Sequence, residues 1–234
     1  MGIWIVGMAT AAACAAQDTP VSFDLAAAAN KDIVYEMGAA AKAAKFGETK
    51  EATQAFVEQG VHGADGLPNG GKVSSVTEMG SYQLLPYSRK NVIEVGSNRD
   101  APLCNARVDV PDGRYTALGM IVASVDKDSS FTLKLHYKDG TETVGWWEAD
   151  DWYQPRNNRG NCIPAVANMD RVDASNGTLD DANHYQLYEF VFKDVDQNRI
   201  LDAITIGNDP NRYDDSVESW GAVFAVNGMK AASP

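Results

Sequence analysis

Val108–Tyr153 reads VDVPDGRYTALGMIVASVDKDSSFTLKLHYKDGTETVGWWEADDWY, and its periodicity decides the fold. From Ser130 to Tyr137 the pattern alternates. Phe131, Leu133, Leu135 and Tyr137 fall on one face, Thr132, Lys134 and His136 on the other. A period of two with a single apolar face marks a strand packed on one side and wet on the other. Lys138-Asp139-Gly140-Thr141 follows, and Asp-Gly between two strand patterns is the strongest short hairpin signal. Upstream, Pro111-Asp112-Gly113 predicts a tight corner, because proline presets φ and glycine accepts the reversal. The strand after the hairpin runs into Trp146, Trp147 and Trp152, three of the five tryptophans. The stretch is a β-meander with an aromatic end.

The same patterning extends outward. Val21–Leu25, Ala55–Val61, Val73–Leu85 and Asn91–Val95 carry short strand signals before the meander. Tyr185–Phe192, Ile200–Ile206 and Ala222–Val226 carry them after it. Gly/Pro/Asn clusters such as His62–Ser75 separate them as surface loops. Asn157–Asp181 is rich in Asn, Asp, Arg and Gly and is expected to hold little regular structure. Met37–Lys50 is Ala-rich with three lysines, which suits a short helical insertion. Regularly spaced strands without long helices indicate an all-β fold, an antiparallel β-sandwich or jelly roll. At 234 residues the chain suits one such domain.

Residues 1–16, MGIWIVGMATAAACAA, carry no charge and place small residues ahead of polar Gln17-Asp18. They resemble a signal peptide, although the usual basic start is missing, and leave 17–234 as the β-sandwich domain of a secreted protein. Removing them takes Cys14 away and leaves Cys104 and Cys162, which in an exported chain read as one disulfide between two loops. Asn176-Gly177-Thr178 forms one glycosylation sequon in a polar loop. The net charge of −12 argues against nucleic acid and, once the signal is removed, against an anionic membrane as partner.

Asp24-Leu25, Leu67-Pro68, Pro111, Gly113, Tyr115, Leu118, Tyr137, Asp139-Gly140, Asp151 and Trp152 occur in an order that carries a resemblance. The chain resembles the accessory β-sandwich domains attached to bacterial and fungal glycoside hydrolases, including the late strands Tyr185–Phe192, Ile200–Ile206 and Ala222–Val226. The resemblance spans nearly all of 17–234 and consists of turn and core signals, so it speaks to fold more than to activity. The Ala39–Phe56 segment and the Asn157–Asp181 loop depart from it. It implies a carbohydrate-binding or accessory module.

Carbohydrate recognition needs flat apolar faces for the C–H side of a pyranose and nearby polar groups for its hydroxyls. Trp146, Trp147, Trp152 and Tyr153, with Arg156, Asn157 and Arg159, supply that mixture. Adjacent Trp146 and Trp147 point to opposite faces of one strand, so at least one belongs to the core. Tyr87, Arg89 and Trp220 are weaker aromatic or basic candidates. No organic cofactor is expected. Structural calcium is the one ion the acidic loops would suit, with Asp194, Asp196 and Asn198 at calcium-loop spacing. That loop lacks glycine at the sixth place and glutamate at the twelfth, which favours a plain turn. Two other readings stand beside the sugar module. One is a jelly-roll polysaccharide lyase or glycosidase, with His136, Tyr137 and Arg159 as its acid–base set. The other is a structural or protein-interaction domain. The sequence contains no Gly-x-Ser-x-Gly, His-Glu-x-x-His or phosphate-loop motif.

Overall fold

The computed structural model describes residues 17–36, 45–47, 53–96, 105–153, 162–207 and 219–232, without the side chains of 181–183. Among the described residues there is no α-helix, only strands and one 3-10 turn at Val61–Gly63. In chain order the first strands are β1 (Thr19–Ser22), β2 (Val34–Tyr35), β3 (Gln54–Val57), β4 (Lys72–Ser74), β5 (Ser81–Gln83), β6 (Ile93–Gly96) and β7 (Asn105–Gly113). They are followed by β8 (Tyr115–Val125), β9 (Ser129–Tyr137), β10 (Glu142–Ala149), β11 (Cys162–Asp173), β12 (Leu179–Phe192), β13 (Leu201–Gly207) and β14 (Trp220–Lys230).

The large sheet has the order β1-β14-β8-β12-β11-β3-β2, with β6 also paired to β14. The smaller sheet runs β10-β9-β13-β7, and β4 and β5 form a separate hairpin. From β6 to β14 the chain switches sheet at every connection except β9–β10, which stays in the small sheet, and β11–β12, which stays in the large one. That traces the eight-strand jelly roll β6-β14-β8-β12 against β7-β13-β9-β10, to which β11 and β1–β3 are added. The β-sandwich expected from the strand spacing is therefore the fold. Among the described strands every ladder but one is antiparallel; β2 runs parallel to β3.

The Asp-Gly hairpin forms as the sequence requires. Gly140 adopts φ 81°, and the Asp139 carboxylate accepts the Thr141 N–H at 3.0 Å. The Thr141 hydroxyl and N–H together hold the Asp139 carboxyl below the usual carboxylate range. β9 buries Phe131, Leu133, Leu135 and Tyr137 between the sheets. From β10, Trp147 enters the same core and stacks on Phe131 with ring centroids 4.5 Å apart. Gly221 on β14 makes room for that pair.

Three expectations are corrected. The corner at Pro111-Asp112-Gly113 is instead the end of β7. Proline sits at an edge strand, where a missing donor is tolerated, and Arg114 alone carries the chain into the other sheet. Tyr115 locks this crossing by donating to the Pro111 carbonyl at 2.6 Å. Asn157–Asp181 is not irregular where it is described, because it contains the twelve-residue β11. Three register shifts, between Pro164 and Val166, Val166 and Met169, and Met169 and Arg171, reset the alternation that would have revealed it. The disulfide anticipated between Cys104 and Cys162 is not seen: Cys162 carries a free, buried thiol, and Cys104 lies outside the described residues. The Cys162 side chain faces the intersheet core, where its thiol donates to the Glu148 carbonyl at 3.2 Å. Of the proposed helical insertion only 45–47 is described, with Phe46 fully buried against Phe56 and Trp152; the signal segment 1–16 also lies outside the described residues.

A second core covers the opposite face of the large sheet. It is built from Ile121, Ala123, Leu187 and Phe224 beneath Phe46, Phe56, Tyr82 and Trp152. Both faces of β8 and β14 are consequently dry, which explains why ALGMIVAS and WGAVFAV do not alternate. A β-carbon added at Gly221 would lie 2.8 Å from Trp147 Cη2 and closer still to Phe131. Gly221→Ala is expected to lower unfolding stability by about 1–3 kcal/mol, read from the midpoint of a urea transition. An unchanged midpoint would contradict the packing of these two rings against β14.

Candidate functional site

The two ends of the small sheet are finished differently. β7 at one end shows solvent Asn105, Arg107 and Asp109, and Arg107 pairs with Asp109 and Asp202 at 3.5 and 3.3 Å. Charge of this kind blunts an edge strand against sticking to other chains. At the other end β10 turns Glu142, Val144, Trp146 and Glu148 outward, facing His136, Lys134, Thr132 and Ser130 across the ladder. Val144 is 52% exposed and Trp146 45%. Two large apolar side chains together on an open edge are the anomaly that points to a site.

Beside them lies an open cleft of about 630 Å³, between the β10 edge and the neighbouring β11–β12 strands of the large sheet. Val144, Trp146 and Ile163 form its apolar rim, with Glu148, Lys193 and Asp194 as the polar groups. Ile163 is itself 45% exposed. Gly145 lets the Phe192 ring close up against β10 in the cleft wall. At the back of the cleft Glu189 is buried and saturated. One carboxylate oxygen accepts from Ser75, Thr77 and Tyr82 hydroxyls, each at 2.7 Å, and the other accepts Val76 N–H at 2.6 Å and Thr77 N–H at 3.1 Å. Burial, then the bond and charge of Glu189, push the Tyr82 phenol far above its ordinary value. A carboxylate with five donors is a clamp on the 75–79 loop rather than a reactive group.

The structure divides the aromatic candidates. Trp146 faces solvent; Trp147 is fully buried in the intersheet core. Trp152 is 3% exposed in the second core, edge-on to Phe46 and Phe56, while Tyr153 is 45% exposed beside it. Trp220 is buried, with the Lys31 ammonium 5.8 Å from its ring centre. Tyr87 is buried and donates to the Pro68 carbonyl at 2.9 Å, and Arg89 is exposed on the adjacent loop. Arg156, Asn157 and Arg159 lie outside the described residues.

His136 and Tyr137 are not brought together. His136 is on the open face, its Nδ1 2.8 Å from the Glu142 carboxylate and its Nε2 2.7 Å from the Thr205 hydroxyl. Tyr137 points the other way into the core, where its oxygen accepts the Asp196 N–H at 3.0 Å. One proton-transfer centre cannot use groups on the two faces of one strand. Within the Asp194-Asp196-Asn198 loop, Asp196 accepts the Asn198 N–H at 3.0 Å and pairs with Arg199 Nε at 3.0 Å. Arg199 thus supplies the positive charge there, and among the described residues no group of three or more His, Cys, Asp or Glu is arranged to hold a metal ion.

Cys162, which opens β11 next to the cleft, titrates far from the usual thiol range. Burial, reinforced by the Asp150 carboxylate, raises its pKa to about 12. Iodoacetamide at pH 8 is expected to modify Cys162 slowly in the folded protein and fully after denaturation, tested with Cys14→Ser and Cys104→Ser in place. Equal labelling rates would contradict its burial. An unfolded thiol ionises near about pH 8.5. The thiol's contribution to stability is therefore intact below that value and is lost as pH climbs toward 12.

No protein-family model matches this sequence, and no curated protein is significantly similar to it, so the fold stands on its strand order and the site on its geometry.

Proposed function

We propose that this protein is a secreted carbohydrate-binding module of the jelly-roll type, holding a polysaccharide along the β10 edge without turning it over. One observation carries the reading: the half-exposed indole of Trp146 on an open sheet edge, bordering a cleft that mixes apolar and charged groups. An indole face offers a pyranose the apolar contact its axial C–H groups need. Val144 and Ile163 extend that contact along the rim, and Glu148, Asp194 and Lys193 are within the cleft to take hydroxyls. Two carboxylates against one ammonium disfavour a polyanionic chain and suit a neutral or amine-bearing glycan. A protein carrying −12 overall repels a uronate polymer at longer range as well.

The purified domain is expected to be retarded in native gels cast with the right neutral polysaccharide, with xylan, β-glucan, galactomannan and chitosan as the panel. Trp146→Ala is expected to weaken that retention about tenfold, corresponding to about 1.4 kcal/mol, with an unchanged circular dichroism spectrum. A Trp146→Ala protein that binds as wild type would overturn the β10 site. Rising ultraviolet absorbance on incubation with uronate polymers would replace the module by a lyase.

A further inference from the structure

Trp152 and Tyr153 follow β10 in the chain and line a pocket that shares no residue with the Trp146 cleft. Trp152 N–H donates to the Ser124 carbonyl at 2.7 Å, and its own carbonyl accepts the Gln186 N–H at 2.8 Å. Asp151 accepts the Tyr153 N–H at 2.9 Å, and its own N–H donates to the Asp128 carboxylate at 2.8 Å. The backbone of these three residues is thereby fixed before any ligand arrives. Tyr153 rests edge-on against His184, centroids 5.7 Å apart, and tilted against Tyr185 at 5.5 Å, so its exposed ring is supported from two sides.

Beside that ring is a pocket of about 210 Å³ lined by Gln54, Asp126, Asp151, Trp152, Tyr153 and Arg171, among others. It draws on β3, the β8–β9 turn, the segment after β10, and β11. Arg171 is rigid: its guanidinium lies 4.5 Å from the Tyr185 ring centre, and Asp180 holds Nε at 2.9 Å. Asp180 takes Nε alone, so the terminal Nη groups of the fork have no side-chain acceptor among the described residues. The Gln54 amide oxygen is buried without a hydrogen-bond partner, and so is His184 Nδ1 behind Tyr153. Both orphaned atoms are closed off from solvent, so the groups the pocket offers a ligand are the Arg171 fork, the Asp126 and Asp151 carboxylates and the Tyr153 ring.

We infer that this pocket is a second saccharide subsite, separate from the β10 cleft, that takes one terminal neutral pyranose through a vicinal diol. The inference rests on the carbohydrate reading. Each hydroxyl of a diol both donates and accepts, so it needs a donor fork and an acceptor on the same side; Arg171 Nη supplies the first, and Asp126 or Asp151 supplies the second. Tyr153 covers the apolar face. At about 210 Å³ the pocket falls below the roughly 300–1,000 Å³ of sites for drug-sized ligands, which matches one sugar ring and not an oligosaccharide. One arginine against two aspartates excludes a uronate or a phosphate as the favoured ligand. Ile163 at the cleft and Arg171 at the pocket lie on the same strand, β11, about 26 Å apart at most by strand rise. A polymer with an end in the pocket and an internal stretch in the cleft is held at two points, and rigid spacing turns the second contact into an intramolecular one.

The test uses saturation-transfer NMR with glucose, galactose, mannose and xylose, together with the same polysaccharide gels. Tyr153→Ala and Arg171→Gln are expected to abolish the monosaccharide signal and to weaken polymer retention tenfold or more. Trp146→Ala is expected to keep the monosaccharide signal while weakening polymer retention about tenfold. Tyr153→Ala alters an exposed ring, so its folding is safe even where Arg171→Gln is unstable. If Trp146→Ala weakens polymer retention while Tyr153→Ala changes neither readout, the second subsite is wrong and the β10 cleft stands. If wild-type protein holds no sugar in either assay, the carbohydrate reading and this inference fall together.

Discussion

Burial of both faces of the large sheet is the constraint on which the rest depends. β8 and β14 run side by side at its centre, sending Met120, Val122, Val223 and Val226 into the intersheet core and Ile121, Ala123, Ala222 and Phe224 into the second. Each large apolar side chain buried in this way contributes about 1.5–3 kcal/mol. A strand that is dry on both sides has nowhere to present a ligand group. Polar and exposed aromatic side chains are accordingly displaced to the open face of the four-stranded sheet and to the strand ends, which is where both pockets discussed above lie.

The second core also explains the buried charges. Glu189 would be costly between sheets, but it faces the covering loop, where five donors converge on it. Glu94 does the same for the segments at Lys31 and Gly47, accepting Gly47 N–H at 3.0 Å and pairing with Lys31 at 2.6 Å. These carboxylates fasten irregular segments to the sheet where the segments have little periodic pattern of their own. One of these clamps, Glu189 on Thr77, forms the back of the β10 cleft.

Local signals were the legible ones. Ser129–Tyr137 and its hairpin could be read because alternation and Asp-Gly act within a few residues. β11 could not, since its bulges shift the pairing three times and each shift moves apolar residues to the other side of the pattern. Trp146 and Trp147 were distinguishable as one inside and one outside, but not which was which. Trp152, grouped in sequence with the sugar-binding aromatics, is core, because Phe46 and Phe56, about a hundred residues earlier in the chain, close over it. Gln54 and Arg171 gave no signal; each is an ordinary polar residue until β3 and β11 pair and set them around one pocket.

The sequence by itself determined the class of fold, the main hairpin and the supply of aromatic side chains at its end, because period-two patterning and turn chemistry are properties of short stretches. The same alternation already set His136 and Tyr137 on opposite faces, and tertiary structure alone decided which indole meets water and which carboxylates are clamps. The reason is physical: exposure and proximity depend on which sheet covers which face, and that is settled by strands that lie far apart along the chain.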